Sequence, residues 1–285
     1  MSPRHASPRG HLSRAVSALC LATAAPALAA CGDDKSSSDE PTKLQIGATG
    51  GGKKVTLTAP KTADGGVVEI SFKNSAKDPQ EAQLIRVEGS HSADEILKVI
   101  GSDGGPIPEW LSGGGGVGQT NPGQTRTVTQ SLPAGKYYVV DSNVEGKPAT
   151  SPLTLKGGDA GDLPEADATI TAKEYAFTTS GLKAGTNAVT FENAGKELHH
   201  VLALPLNKGA TIDDVKKAFR EEDSSGPPPF DESKATGTAV IDGGESQVTD
   251  LKLSKGKYAL VCFIQDRKGG PPHAAKGMIT EADIQ

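Results

Sequence analysis

The feature that most constrains this chain is a repeat within it. Lys73-Asn74-Ser75-Ala76-Lys77-Asp78-Pro79-Gln80 lines up with Glu192-Asn193-Ala194-Gly195-Lys196-Glu197-Leu198-His199. Further on, Ser92-Ala93-Asp94-Glu95 matches Thr211-Ile212-Asp213-Asp214. Each is a hydroxyl with an acid three residues later, the capping-box pattern of a helix start. Apolar residues follow at helical spacing: Ile96, Val99 and Ile100, then Val215, Ala218 and Phe219. Each short helix leads into a Gly/Pro loop with one aromatic, Trp110 or Phe230. Each copy then reaches Gly-Lys-Tyr and an apolar strand, Gly135 to Val140 and Gly256 to Val261. The offset stays between 119 and 121 residues throughout, so the chain reads as two copies of one unit.

Each unit has roughly 110 residues, an ordinary domain size. With 35 Gly and only 4% aromatics, and β-branched runs separated by Gly, Pro and Asn, the units read as all-β rather than helical. The expected domains are 43–156 and 169–285, with residues 157–168 as a linker. Expected strands in the second are 187–193, 200–206, 247–253, 257–264 and 277–280, several with the period-two alternation of a sandwich. Gly113-Gly114-Gly115-Gly116 reads as a flexible loop, since it lacks the Lys-Ser/Thr of a phosphate cradle.

Residues 1–30 are a targeting segment. Arg4, Arg9 and Arg14 precede an apolar, Ala-rich run that ends Leu28-Ala29-Ala30-Cys31-Gly32. This ending resembles the lipobox of bacterial lipoproteins, which implies acylation of Cys31 and a lipid anchor at the cell membrane, on its extracytoplasmic face. Residues 31–42 then form a polar tether spanning on the order of 20 Å. Residues 31–285 carry 27 basic and 35 acidic groups, a formal charge of −8. That argues against nucleic acid as a partner.

Cysteine usage narrows the chemistry. Cys20 leaves with the signal and Cys31 is taken by lipid, so Cys262 is a single thiol in an oxidising compartment. It lies at the end of an apolar strand, with His273 and Met278 after it and His199-His200 upstream. A thiolate, imidazoles and a thioether make a ligand set for copper. Strand neighbours point to opposite faces, so one of His199 and His200 is expected to bind, and both stay open on the residues alone.

The second unit resembles the cupredoxins, the blue-copper proteins. The resemblance rests on Asn193-Ala194-Gly195 before His199, on Cys262 at its strand end, and on His273 followed five residues later by Met278. It implies a fold of two tandem cupredoxin-like Greek-key β-sandwiches, each with one short inserted helix. It also implies one type 1-like copper ion held by His199, Cys262, His273 and a weak axial Met278. The segment 263–272 between Cys262 and His273 is longer than the usual family loop. In the first unit Gln80 stands in place of His199 and Asp141 in place of Cys262, so that unit is expected to hold no copper. The expected function is a membrane-tethered one-electron carrier with a redox partner protein, and not an enzyme. A multicopper enzyme needs more His than the four that remain after residue 30: His91, His199, His200 and His273. The alternative is a non-catalytic surface interaction or copper-handling lipoprotein on the same scaffold.

Overall fold

The computed structural model describes residues 40–102, 104–158, 160–220 and 226–285; Cys31 and the expected targeting segment, residues 1–30, lie outside them. The first half contributes β1 (Thr42–Gly51), β2 (Lys54–Thr58), β3 (Thr62–Asp64), β4 (Gly66–Ala76), β5 (Gln80–Val87), α1 (Ala93–Ile100), β6 (Leu111–Thr120), β7 (Thr125–Leu132), β8 (Gly135–Asp141) and β9 (Ala149–Lys156). The second contributes β10 (Ala168–Lys173), β11 (Ala176–Ser180), β12 (Gly185–Asn193), β13 (Leu202–Pro205), α2 (Ile212–Ala218), β14 (Thr236–Gly237), β15 (Ser246–Leu253), β16 (Gly256–Val261) and β17 (Ile279–Ile284).

These strands build two all-β sandwiches. One sheet of eight strands, ordered β11-β10-β12-β15-β7-β4-β1-β2, runs through both halves. A five-stranded sheet, β3-β9-β8-β5-β6, covers its first half, and a four-stranded sheet, β14-β13-β16-β17, covers the second. Alternation along β4 and β12 turns Val68, Ile70 and Phe72, and Val189 and Phe191, into the two cores. Burying one such side chain contributes about 1.5–3 kcal/mol. The halves meet where β7 pairs antiparallel with β15, Gln130 opposite Gln247 and Val128 opposite Thr249.

Both inserted helices start as the sequence indicates. Ser92 and Glu95 form a reciprocal capping box on α1, and Thr211 and Asp214 form one on α2. Each helix buries one residue on the outer face of the smaller sheet of its half. Ile96 packs with Ile85, Val87 and Val140, and Val215 with Leu204, Ala259 and Val261.

Four local expectations change. The strand expected over 257–264 ends at Val261, and the one expected over 277–280 starts at Ile279. The chain between them is used for a helical turn, in which Lys276 N–H donates to His273 O (3.0 Å) and Gly277 N–H to Ala274 O (3.0 Å). The strand expected over 200–206 is the shorter β13. Gly113 to Gly116 is not a loop but part of β6. A Cβ at Gly115 would lie 2.4 Å from Gln130 Oε1, and one at Gly116 2.1 Å from Ala82 O, both at positive φ. The glycines permit close backbone approach here rather than flexibility.

Candidate metal centre

The centre is built at one end of the second sandwich, from a turn and a loop. Asn193 ends β12, and its buried side chain pins the following turn. Its Oδ1 accepts from Gly195 N–H (3.0 Å), and its Nδ2 donates to Glu197 O (2.8 Å) and Ile241 O (3.2 Å). His199 follows, locked to Ile241 by backbone hydrogen bonds in both directions, 3.1 and 2.9 Å. Cys262 comes directly after β16. Its carbonyl accepts from Ala274 N–H (2.8 Å), while His273 N–H donates to Ile264 O (2.8 Å). The two ends of the long loop are therefore laced together beside the thiol.

The structure brings His199, Cys262 and His273 into one fully buried cluster. The two Nδ1 atoms are 3.1 Å apart, and Cys262 Sγ is 3.7 Å from one and 3.5 Å from the other. A triangle with these sides has a centre about 2.0 Å from every corner, close to a metal–nitrogen bond and slightly short of a metal–sulfur bond. Met278 is fully buried in the same apolar core as Cys262, and its N–H donates to His273 O (2.9 Å). His200 faces away. Its Nε2 accepts from Phe263 N–H (3.0 Å), and its ring lines a separate cavity with Leu198 and Ile264.

The electrostatics suit a cation in place of protons. Burial, with His273 adding to it, lowers the His199 pKa to about 4. His273 is lowered by burial too, with Asp266 opposing. Burial pushes the Cys262 thiol up to about 11. Without a cation the cluster holds neutral rings and a protonated thiol, and metal binding displaces the thiol proton. His199 Nε2 is buried with no hydrogen-bond partner, an arrangement that costs about 1–3 kcal/mol.

Residues the sequence did not point to surround His273. Asp266 Oδ1 lies 3.0 Å from His273 Nε2, so a proton on that nitrogen leaves Nδ1 free for the metal. The Asp266 carboxylate also accepts from Tyr175 OH (3.1 Å) and from Lys276 Nζ. Although burial raises its pKa, these hydrogen bonds hold Asp266 below the usual carboxylate range. Tyr175 is 36% exposed and meets His273 edge to face, with ring centroids 5.2 Å apart, so it carries the site to the surface. A lone acid within the long loop was the only signal for this network in the sequence.

The first sandwich differs at the matching position. Gln80 and Asp141 are buried there, and Gln80 Oε1 and Asp141 Oδ2 lack hydrogen-bond partners. Among the described residues, His199, Cys262 and His273 are the one group of metal-ligand type that converges.

Two β-sandwiches with a buried His–Cys–His cluster at one end of the second define an all-β protein with a candidate metal centre. Among solved structures, the chain is similar to dithionite-reduced auracyanin from the photosynthetic bacterium Roseiflexus castenholzii. The identity is 23% over 41% of this chain and 94% of that one, with a TM-score of 0.28. It is also similar to copper nitrite reductase from Nitrosomonas europaea, at 15% identity over 86% of this chain and 94% of that one, with a TM-score of 0.24. A multicopper oxidase gives 14% identity over 85% and 88%, with a TM-score of 0.23. No family model and no curated protein matches the chain.

Proposed function

We propose that this chain is a membrane-tethered, extracytoplasmic one-electron carrier, in which His199, Cys262 and His273 would hold a copper ion and Met278 would supply a weak thioether donor. The observation that carries the reading is the convergence of two Nδ1 atoms and one Sγ around a common point at metal-bond distance. Copper bound by two imidazoles and a thiolate supplies a one-electron Cu(II)/Cu(I) couple. The residues supply the rest. A stiff sandwich fixes the donor atoms, the apolar core excludes water, Asp266 holds the His273 ring, and Tyr175 offers a route to a partner protein at the surface.

The tether is acylated Cys31, the two sandwiches are a tandem duplication, and the partner is a redox protein at the same membrane. A carrier fits better than an oxidase because the four His outside the targeting segment provide one cluster and no second His-rich centre.

The test is titration of the purified chain with Cu(II), followed by visible absorption. The expected result is an intense thiolate-to-copper band that saturates at one equivalent. Cys262→Ser should remove that band and leave far-UV dichroism unchanged. A wild-type protein that stays colourless, or a serine variant that keeps the band, would refute the assignment.

A further inference from the structure

We propose that the first sandwich is the outer half of the metal site, a clamp that holds both ligand-bearing segments of the second. The proposal rests on the copper reading above and assigns a task to the half of the chain that has no ligands of its own.

One arm of the clamp reaches His199. β6 of the first sandwich lies along residues 237–242 of the second: Gly115 N–H donates to Val240 O (2.9 Å), and Asp242 N–H donates to Gly113 O (3.1 Å). Gln83 joins the same contact from β5, its Oε1 accepting from Val240 N–H (2.7 Å) and its Nε2 donating to Val240 O (3.0 Å). The residue between these anchors is Ile241, the backbone partner of His199. The glycines of β6 make this approach possible, because a Cβ at Gly118 would lie 2.9 Å from Gly237 O and one at Gly113 3.1 Å from Leu198 Cδ2.

The other arm holds the long loop between Cys262 and His273. Arg267 is its hub. Its carbonyl accepts from Ile107 N–H (2.8 Å), its Nη1 donates to Leu111 O (3.1 Å), and its Nη2 pairs with Asp242. Its own N–H donates to Glu197 Oε2 (2.6 Å), in the turn that leads to His199. On either side, Gln265 Nε2 donates to Gly105 O (3.2 Å) and Gly270 N–H donates to Gly104 O (2.9 Å). Asp266, which holds His273, sits between two of these anchored residues. The extra length of the loop is thereby used to dock it on the first sandwich, and the His199 and His273 segments are tied to one rigid body.

The test uses the full chain with Arg267→Ala. Two quantities are compared with wild type: backbone hydrogen exchange over residues 262–278 without metal, and copper release to a competing chelator with the visible band recorded. The proposal expects faster exchange in that loop, release faster by about tenfold, and a shifted band, with far-UV dichroism preserved. Unchanged exchange would overturn the clamp. Faster exchange with unaltered release and band would show that the first sandwich steadies the loop but not the site, and would also overturn it. If Arg267→Ala fails to fold, Gly118→Ala applies the same comparison from the first sandwich, reading residues 199–206 and 237–242. A wild-type chain with no band refutes the copper reading itself, while the exchange comparison still decides whether the first sandwich holds the loop.

Discussion

Cys262 and Asp141 occupy matching places at the ends of β16 and β8, and burial acts on both. For Cys262 the consequence is metal binding that depends on pH. Its thiol is pushed up to about 11, whereas His199 is lowered to about 4, so near neutrality binding releases one proton, from sulfur. We predict that Cu(I) affinity, measured by anaerobic chelator competition, rises about tenfold per pH unit between roughly pH 6 and 9. A flat profile would mean that the thiolate is not a ligand. For Asp141 the consequence is stability. Burial, with the neighbouring Glu81 adding to it, raises its pKa from 3.8 to about 7. The folded state therefore binds more protons than the unfolded state between these values. The stabilising effect of that protonation is fully present below pH 3.8 and is lost as pH rises through about 7. Urea midpoints should fall across this window more steeply in the wild type than in Asp141→Asn, where Glu81, itself raised by burial, still contributes. Parallel curves for the two proteins would sink the assignment.

Among elements, the turn after β4 and the turn after β12 are built alike. Asn74 Oδ1 accepts from Ala76 N–H (2.9 Å), and its Nδ2 donates to Asp78 O (2.9 Å) and Thr120 O (2.7 Å), the arrangement Asn193 makes in the second half. Replacing either Asn with Ala removes three hydrogen bonds to the backbone, buried or partly buried, and should cost about 1–3 kcal/mol. Only Asn193→Ala should also weaken copper binding, because its turn leads into His199; equal effects on copper from both would contradict this. The Asn positions, both capping boxes and the Gly-Lys-Tyr strands were legible because their patterns are local and occur twice. The same holds for His199, Cys262 and His273, whose residue types are rare in this chain. Asp266, Tyr175 and Arg267 were not legible, since their roles depend on a loop folding back on itself and onto the other sandwich. Gly113 to Gly116 misled for a related reason. Glycine permits both flexibility and close approach, and only the neighbouring chain decides which applies.

At the scale of the molecule, the shared sheet makes the two sandwiches one mechanical body. β7 and β15 pair in the middle of eight strands, and Arg126 adds to the join by donating from Nη2 to Gly237 O (3.0 Å) and Asp250 O (3.2 Å). Separating the halves would expose the β7 and β15 edges together with the buried faces of Gln130, Gln247 and Thr249. It would also leave backbone and side-chain groups unpaired, at about 1–3 kcal/mol for each one that stays buried. We therefore predict that the halves unfold together. Trp110, the single tryptophan, reports on the first half, and thiol labelling of Cys262, localised by peptide mass, reports on the second. In urea without metal the two transitions should coincide in midpoint and slope. Midpoints separated by more than about 1 M would show two independently folding domains on a linker. In that case the first sandwich could not hold the metal loop at the concentrations where only one of them remains folded.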